Sequence, residues 1–272
     1  MAVAPRLAFI PGGSTGIGLA IATQLAARGT EVAIFARRTE PLIAAAAAIE
    51  AACQRPAQRV AWWPLDVADA AQVAAVMSRA VATLGPPDLL INCAGRAIPD
   101  YFDRIPAAQL DESMRINLYG AWHTIQALLP HLRARGGGRI VNVASLAGLI
   151  GVFGYTDYAA SKFAVVGFSE ALRSELKRDG ITVQVLCPPD TDTPALAQEN
   201  RTKPAETHAV SAGAKVLSAD AVAAALLAAL SGDRFLIIPG RDGRFAHLAK
   251  RLAPRLVEWV MDRQIRAARR QS

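Results

Sequence analysis

Short runs of consecutive apolar residues alternate along the chain with longer stretches in which apolar positions recur at helical spacing. The short runs predict strands over residues 6–11, 31–36, 59–65, 88–92, 138–144, 181–187 and 234–238. The longer stretches predict helices over 16–28, 39–53, 69–84, 106–134, 157–179 and 218–231. Strands rich in Val, Ile and Leu, without polar alternation, are buried on both faces. Each followed by a helix, they predict an α/β fold: a doubly wound, seven-stranded parallel sheet with helices on both faces. After Cys187 a segment rich in Pro, Thr and Asp is predicted as a lid loop over 188–216, because a loop that long inside a compact domain points to function. Beyond 240 the alternation stops. Phe245, Leu248, Leu252, Leu256 and Trp259/Val260 recur at helical spacing with Arg and Lys between them, predicting a basic amphipathic C-terminal helical tail. Pro254 either kinks that helix or begins a second one. The expected division is one domain over 1–240 and an extension over 241–272.

Composition narrows the class. A chain of 272 residues, 52% hydrophobic, suits one large α/β domain or two small ones. The net charge of +7 is unevenly spread: 241–272 carries nine Lys and Arg against Asp242, Glu258 and Asp262, so that this segment alone is +6. The basic balance therefore belongs to the tail, and no nucleic-acid partner is expected. Only five of the 30 basic residues are Lys which, with abundant Ala, points to a GC-rich bacterial genome. The apolar stretch from Ala221 to Leu230 is too short to span a bilayer. The N-terminus lacks a charged region followed by a cleavable apolar segment, so no signal peptide or anchor is expected and the location is read as cytoplasmic. Cys53, Cys93 and Cys187 lack CxxC spacing and fit reduced, buried thiols. His123, His131, His208 and His247 show no ligand spacing, and no metal site is expected.

Candidate chemistry lies in two places. The first strand runs into Pro11-Gly12-Gly13-Ser14-Thr15-Gly16-Ile17-Gly18. Gly12, Gly16 and Gly18 permit a tight strand-to-helix turn and close backbone approach to a pyrophosphate at the helix N-terminus. Opening a βαβ unit, this is a strong dinucleotide signal and makes the sheet Rossmann-type, with Ser14, Thr15 and Ile17 in the same loop. The second strand ends in Arg37-Arg38 instead of the acidic residue that would hold the ribose hydroxyls of NAD. Two arginines suit a 2′-phosphate, which favours NADPH; the alternative is a pair of solvated loop charges. Asp66 and Val67 follow the third strand where the adenine would lie, and Asn92, Ala94 and Gly95 close the fourth beside the same cofactor; both sets could instead cap strand ends.

The second place is Tyr158-Ala-Ala-Ser-Lys162, with Ser145 upstream at the end of an apolar run. At i and i+4 an ammonium lies beside a phenol on one helix face. A cation at ~4 Å is worth up to ~4 kcal/mol at an effective dielectric of ~20, roughly three pKa units, which would bring a phenol of pKa ~10 into the range of general acid–base catalysis. Ser145 can hold the oxygen that Tyr158 protonates. Alone, YxxxK is common on solvated helix faces; with Ser145 and the glycine loop it reads as an acid–base centre.

Together GGSTGIG, NCAG, Asn117 in RINLYG, Ser145 and Tyr158/Lys162 resemble the short-chain dehydrogenase/reductase superfamily over residues 6–240. The resemblance implies that Tyr158 is the acid, that Lys162 lowers its pKa and holds the nicotinamide ribose, and that Ser145 orients the carbonyl. It also implies that Asn117 holds a proton-relay water, and that Pro188, Thr191 and Thr193 border the nicotinamide. Two features depart from the pattern: Pro11 replaces a frequent Thr, and Pro188-Pro189 replaces Pro-Gly. PPDTDTP followed by ENRTKP, with GYTDYAASKFAVVGFSEAL before them, resembles the 3-ketodihydrosphingosine reductases over most of 6–210. That resemblance implies NADPH-dependent reduction of 3-ketosphinganine, with Asp190 or Asp192 pairing with the substrate amine unless both cap the following turn. A β-ketoacyl thioester or a steroid is the alternative ketone, and a nucleotide-sensing protein without turnover is the alternative class. Relatives of this fold commonly pair through long helices, so a homo-dimer or tetramer is expected through 106–134 and 157–179. A substrate tail of ~15 methylenes costs on the order of 12 kcal/mol to move into water. The tail over 243–270 is accordingly expected either to touch an anionic membrane surface peripherally or to cover the domain's own core or a partner subunit.

Overall fold

The computed structural model describes residues 5–270. Residues 1–4 and 271–272, at the outer ends of the two expected units, lie outside the described residues. The chain begins β1 (Leu7–Pro11), α1 (Gly16–Ala26), β2 (Glu31–Ala36), α2 (Thr39–Glu50), β3 (Val60–Pro64), α3 (Ala70–Leu84), β4 (Leu89–Asn92), α4 (Ala107–Met114), α5 (Gly120–Ala134) and β5 (Gly138–Val143). It continues through α6 (Thr156–Leu176), β6 (Ile181–Leu186), β7 (Thr191–Asp192), α7 (Pro194–Glu199), α8 (Ala205–Ser211), β8 (Leu217–Ser218), α9 (Ala219–Ala229), β9 (Leu236–Ile237), α10 (Arg241–Leu252) and α11 (Pro254–Arg269). The main sheet is parallel throughout in the order β3-β2-β1-β4-β5-β6-β9. This is the expected seven-stranded, doubly wound architecture.

Successive strand residues point to opposite faces. On β1, Ile10 joins Ile21, Leu25, Leu42, Val222 and Leu226 from α1, α2 and α9 on one side. Phe9 joins Met77, Leu128, Leu132 and Leu176 from α3, α5 and α6 on the other. Full burial of each such side chain contributes about 1.5–3 kcal/mol, which is why these strands carry no polar alternation.

Two expectations are corrected, and one open alternative is decided. The helix expected over 106–134 is divided by a π-helical turn at Arg115–Tyr119, which turns the Asn117 amide onto the backbone of Arg96. The segment 188–216 is not a plain loop: β7 pairs with β8, and α7 and α8 fold between them. Its Pro and Thr content is helix-start chemistry, since Thr193 caps α7 by accepting from Leu196 N, and Pro194 and Pro204 stand at or before first turns. Pro254 begins a second tail helix rather than kinking one.

The tail is packed rather than free-standing. Gly243 lies against Leu146 and Ile238. Arg269 Nε donates to Glu206 Oε1 of α8 at 3.1 Å, and the other Glu206 oxygen accepts from the Tyr101 hydroxyl at 2.9 Å. Thr207 Oγ1 donates to Phe153 O at 2.9 Å, fixing α8 to the turn before α6. Among the described residues no helix is long and apolar enough to cross a membrane.

Candidate active site

A cavity of about 560 Å³ opens along the C-terminal ends of the strands, from the β1–α1 loop past Tyr158 to the tail. Every cofactor position expected from the sequence lines it except Asn92.

Gly12 has φ +84°, and a Cβ there would lie 2.6 Å from the carbonyl carbon of Cys93, so the β1–α1 loop touches the end of β4 with no room for a side chain. This bare backbone leads into the N-terminus of α1, where Thr15 makes no side-chain cap and Gly16, Ile17 and Gly18 line the cavity. Arg37 and Arg38 are exposed at its edge, and among the described residues neither makes an ion pair or hydrogen bond. The diphosphate of a nicotinamide dinucleotide fits the bare backbone of the β1–α1 loop. Asp66 lines the cavity but also closes its own turn, accepting from Ala68 N at 3.0 Å.

Asn92 is placed elsewhere. Its amide donates to Asn142 Oδ1 at 2.9 Å and accepts from Thr124 Oγ1 at 2.6 Å, and Asn142 donates to Ser169 Oγ at 2.9 Å. This buried chain of polar groups ties β4 and β5 to α5 and α6, and leaves Asn92 no side-chain group for a cofactor. Asn117 does not line the cavity either: it brackets Arg96 N and O at 2.9 and 3.0 Å and donates to Ser161 Oγ at 2.8 Å. It supports the floor behind Gly95, against whose α-carbon position Lys162 Nζ also packs.

Tyr158 stands on the first turn of α6, facing Ser145 at the end of β5. Lys162, one turn on, is buried; its Nζ donates to Val143 O at 2.9 Å and lies 5.6 Å from the Tyr158 ring centroid. Close packing sets this position, since a Cβ on Gly148 would meet Lys162 O at 2.7 Å. Burial pulls the Lys162 ammonium down to about 8.

The expected lowering of the Tyr158 phenol is corrected. Burial, and then the charge of Glu199, push it above its ordinary value, and the hydrogen bond with Ser145 only partly opposes them. The ammonium lies over the ring and is engaged by a carbonyl. The phenol carries its proton at neutral pH, and the upward shift makes it a more reluctant donor.

Neither aspartate stands ready as expected for an amine. Asp190 Oδ2 is paired with Lys203 Nζ at 3.1 Å, and Asp192 is exposed outside the cavity lining. The carboxylate that faces Tyr158 is Glu199, at the end of α7, which accepts from the Tyr155 hydroxyl at 2.6 Å. Burial raises Glu199 above the usual carboxylate range, and the Tyr155 bond partly opposes that. Sequence reasoning passed over Glu199, whose only signal is its place in the lid run. It also passed over the far wall of the cavity, formed by Val210 of α8, Ala246 of α10, and Val257 and Met261 of α11.

Residues 6–204 match the family model described as short chain dehydrogenase. The chain belongs to that family. It is 37% identical over 235 residues to the 3-ketodihydrosphingosine reductase of Mus musculus, covering 86% of this chain and 71% of the relative. It is 38% identical over 235 residues to the 3-dehydrosphinganine reductase of Danio rerio, again covering 86% and 71%. A solved short chain dehydrogenase/reductase from Burkholderia phymatum in complex with NAD superposes with TM-score 0.78 at 26% identity, over 91% of this chain and 94% of that one.

Proposed function

We propose that this chain reduces the 3-keto group of 3-ketosphinganine to sphinganine with NADPH. The observation that carries the reading is the placement of Tyr158 beside Ser145 and Lys162, in a cavity whose far end is walled by apolar residues of the lid and tail. One end fits a dinucleotide and the other an alkyl chain. When bound, the nicotinamide supplies a hydride to the carbonyl carbon. Ser145 Oγ orients the carbonyl oxygen, and Tyr158 Oη donates the proton that the oxygen needs as charge develops on it. Lys162, charged at pH 7, replenishes that proton and fixes the ribose. Asn117 positions Arg96 and Gly95 around this centre. Arg37 and Arg38 supply the preference for a 2′-phosphate.

The tail gives the enzyme a route to a lipid substrate. Phe245 and Leu252 are 73% and 76% exposed, and Leu248, Leu256, Trp259 and Val260 continue the same uncovered stripe. Arg251, Arg255, Arg263 and Arg266 flank it, and among the described residues none of them forms an ion pair. An apolar face edged with unpaired cations suits peripheral contact with an anionic bilayer, and the inner face of the same two helices walls the cavity. The expected homo-oligomer would use the half-exposed Tyr119, Trp122 and Phe163 on and beside α5 and α6.

NADPH oxidation with 3-ketosphinganine in mixed micelles tests the reaction. Turnover lost by at least ~10²-fold in Tyr158→Phe, with NADPH binding retained, supports it; no turnover by the wild type refutes it. Leu252→Glu with Trp259→Glu should release the protein from sedimented anionic vesicles; retention refutes docking. Deleting the tail would not discriminate, since it also opens the cavity.

A further inference from the structure

Two carboxylates and two ammonium groups surround Tyr158, and among the described residues two of the four, Lys162 and Glu199, have no ion pair. Lys203, with a side chain 3% exposed, is paired with Asp190 at 3.1 Å. Lys162 donates to the carbonyl of Val143. Glu199 has only the neutral Tyr155 hydroxyl, at 2.6 Å, and among the described residues no ion pair. A half-buried carboxylate is costly without a cation, yet this one is held in place. Tyr155 itself is buried, its ring centroid lies 5.6 Å from that of Tyr158, and Lys203 Nζ lies over its ring at 6.0 Å from the centroid. Tyr155 is thereby locked by its neighbours and fixes one Glu199 oxygen. The other oxygen accepts no hydrogen bond among the described residues.

We propose that Glu199, oriented by Tyr155, is the receptor for an ammonium carried on the carbon next to the ketone, and so selects α-amino ketones. The inference deepens the sphingoid-ketone reading and rests on it: 3-ketosphinganine carries such an ammonium beside its reacting carbonyl. Asp190 is excluded from this role by Lys203, and Asp192 by its exposure outside the cavity. The pairing also acts on the reaction, because the Glu199 charge holds the Tyr158 phenol up. An arriving ammonium offsets that charge and makes Tyr158 a readier donor only when the correct substrate is seated.

The test compares kcat and KM for 3-ketosphinganine with those for the same chain bearing hydrogen in place of the amine, in wild type and Glu199→Gln. A charge-assisted hydrogen bond predicts that wild type prefers the aminoketone by roughly 10- to 100-fold in kcat/KM. That ratio should collapse in Glu199→Gln and fall partway in Tyr155→Phe, through KM for the lost pairing and through kcat for the lost effect on Tyr158. A ratio unchanged in Glu199→Gln, or no preference in wild type while both ketones are reduced, overturns the inference and leaves the ketone-reductase reading standing. If wild type reduces neither ketone, the reductase reading fails instead. Binding of dodecylamine against dodecanol to the NADP-bound protein then decides the subsite: amine preference lost in Glu199→Gln supports it, and equal binding overturns it.

Discussion

Glu206 joins three parts of the molecule, so its removal should loosen the roof of the cavity while leaving the sheet intact. Its side chain is 7% exposed, on the first turn of α8. One oxygen accepts from Arg269 of α11 and the other from Tyr101 in the loop after β4. Burial would raise its pKa, but its own backbone amide, Tyr101 and Arg269 outweigh that and hold it below the ordinary value of 4.5. The Tyr101 bond, made to a charged acceptor, is worth about 1.5–3 kcal/mol. Arg269 is 63% exposed, so its pair is screened and adds roughly 0.5 kcal/mol. Glu206→Ala should therefore favour opening of the α8–α11 contact by about 2–3.5 kcal/mol, a factor of roughly 30–300. Amide hydrogen exchange reads this directly: α8 and α11 should exchange faster by that factor while β1, β4 and β5 keep their protection. The KM for a long-chain ketone should rise in step. A carboxylate of depressed pKa stabilises above its unfolded value and loses that contribution as pH falls through the folded one, so the clamp should hold at neutral pH and release only in acid. Unchanged exchange in α8 and α11, or equal acceleration in the sheet, would refute the reasoning.

Three further outcomes follow from the site. Changing Arg37 and Arg38 to Ala should lower the NADPH-over-NADH preference in kcat/KM by roughly 10- to 100-fold, the loss of charge-assisted contacts to one phosphate; an unchanged ratio would make both arginines solvated loop charges. Because burial holds Lys162 near 8, kcat for reduction should fall as pH rises through about 8, and Lys162→Met should lack that inflection. The stability sign is opposite: between about 8 and the ordinary 10.5 the unfolded chain binds the Lys162 proton more tightly, so stability should rise with pH in that window; a fall there would show that Lys162 is not desolvated. Asn92→Leu strands the buried Asn142 Oδ1, while Thr124 keeps the carbonyls of Gly120 and Ala121, and should cost about 1–3 kcal/mol in urea unfolding, whereas a loss under about 0.5 kcal/mol would deny the polar chain its structural role.

The parts legible in the sequence are those whose physics is local. Strand runs without polar alternation report two-sided burial at each residue, so the seven strands fall where the pattern puts them, although β9 keeps only Leu236 and Ile237 in register. Gly12 and the Tyr158–Lys162 spacing are legible for the same reason: a tight turn and a shared helix face depend on neighbours a few positions away. Asn92 and Glu199 are not legible, because each role depends on a partner brought from another element, Asn142 and Thr124 in one case and Tyr155 in the other. The direction of the Tyr158 shift was out of reach too. Spacing supplies the lysine, but only the fold supplies the burial and the Glu199 charge that set the direction. The tail shows the limit most sharply. Its large side chains, Phe245, Leu248, Leu252, Leu256 and Trp259, form the stripe that periodicity detects, and that stripe is the exposed one. The inner face uses Gly243, Ala246, Val257, Met261 and Ala268, small or scattered residues that let the two helices approach α8 and the cavity closely. Apolar periodicity is dominated by the largest side chains and so points away from the packed side here. That inversion is itself informative: a helix that presents its largest apolar residues outward while packing through its smallest has a second surface to meet.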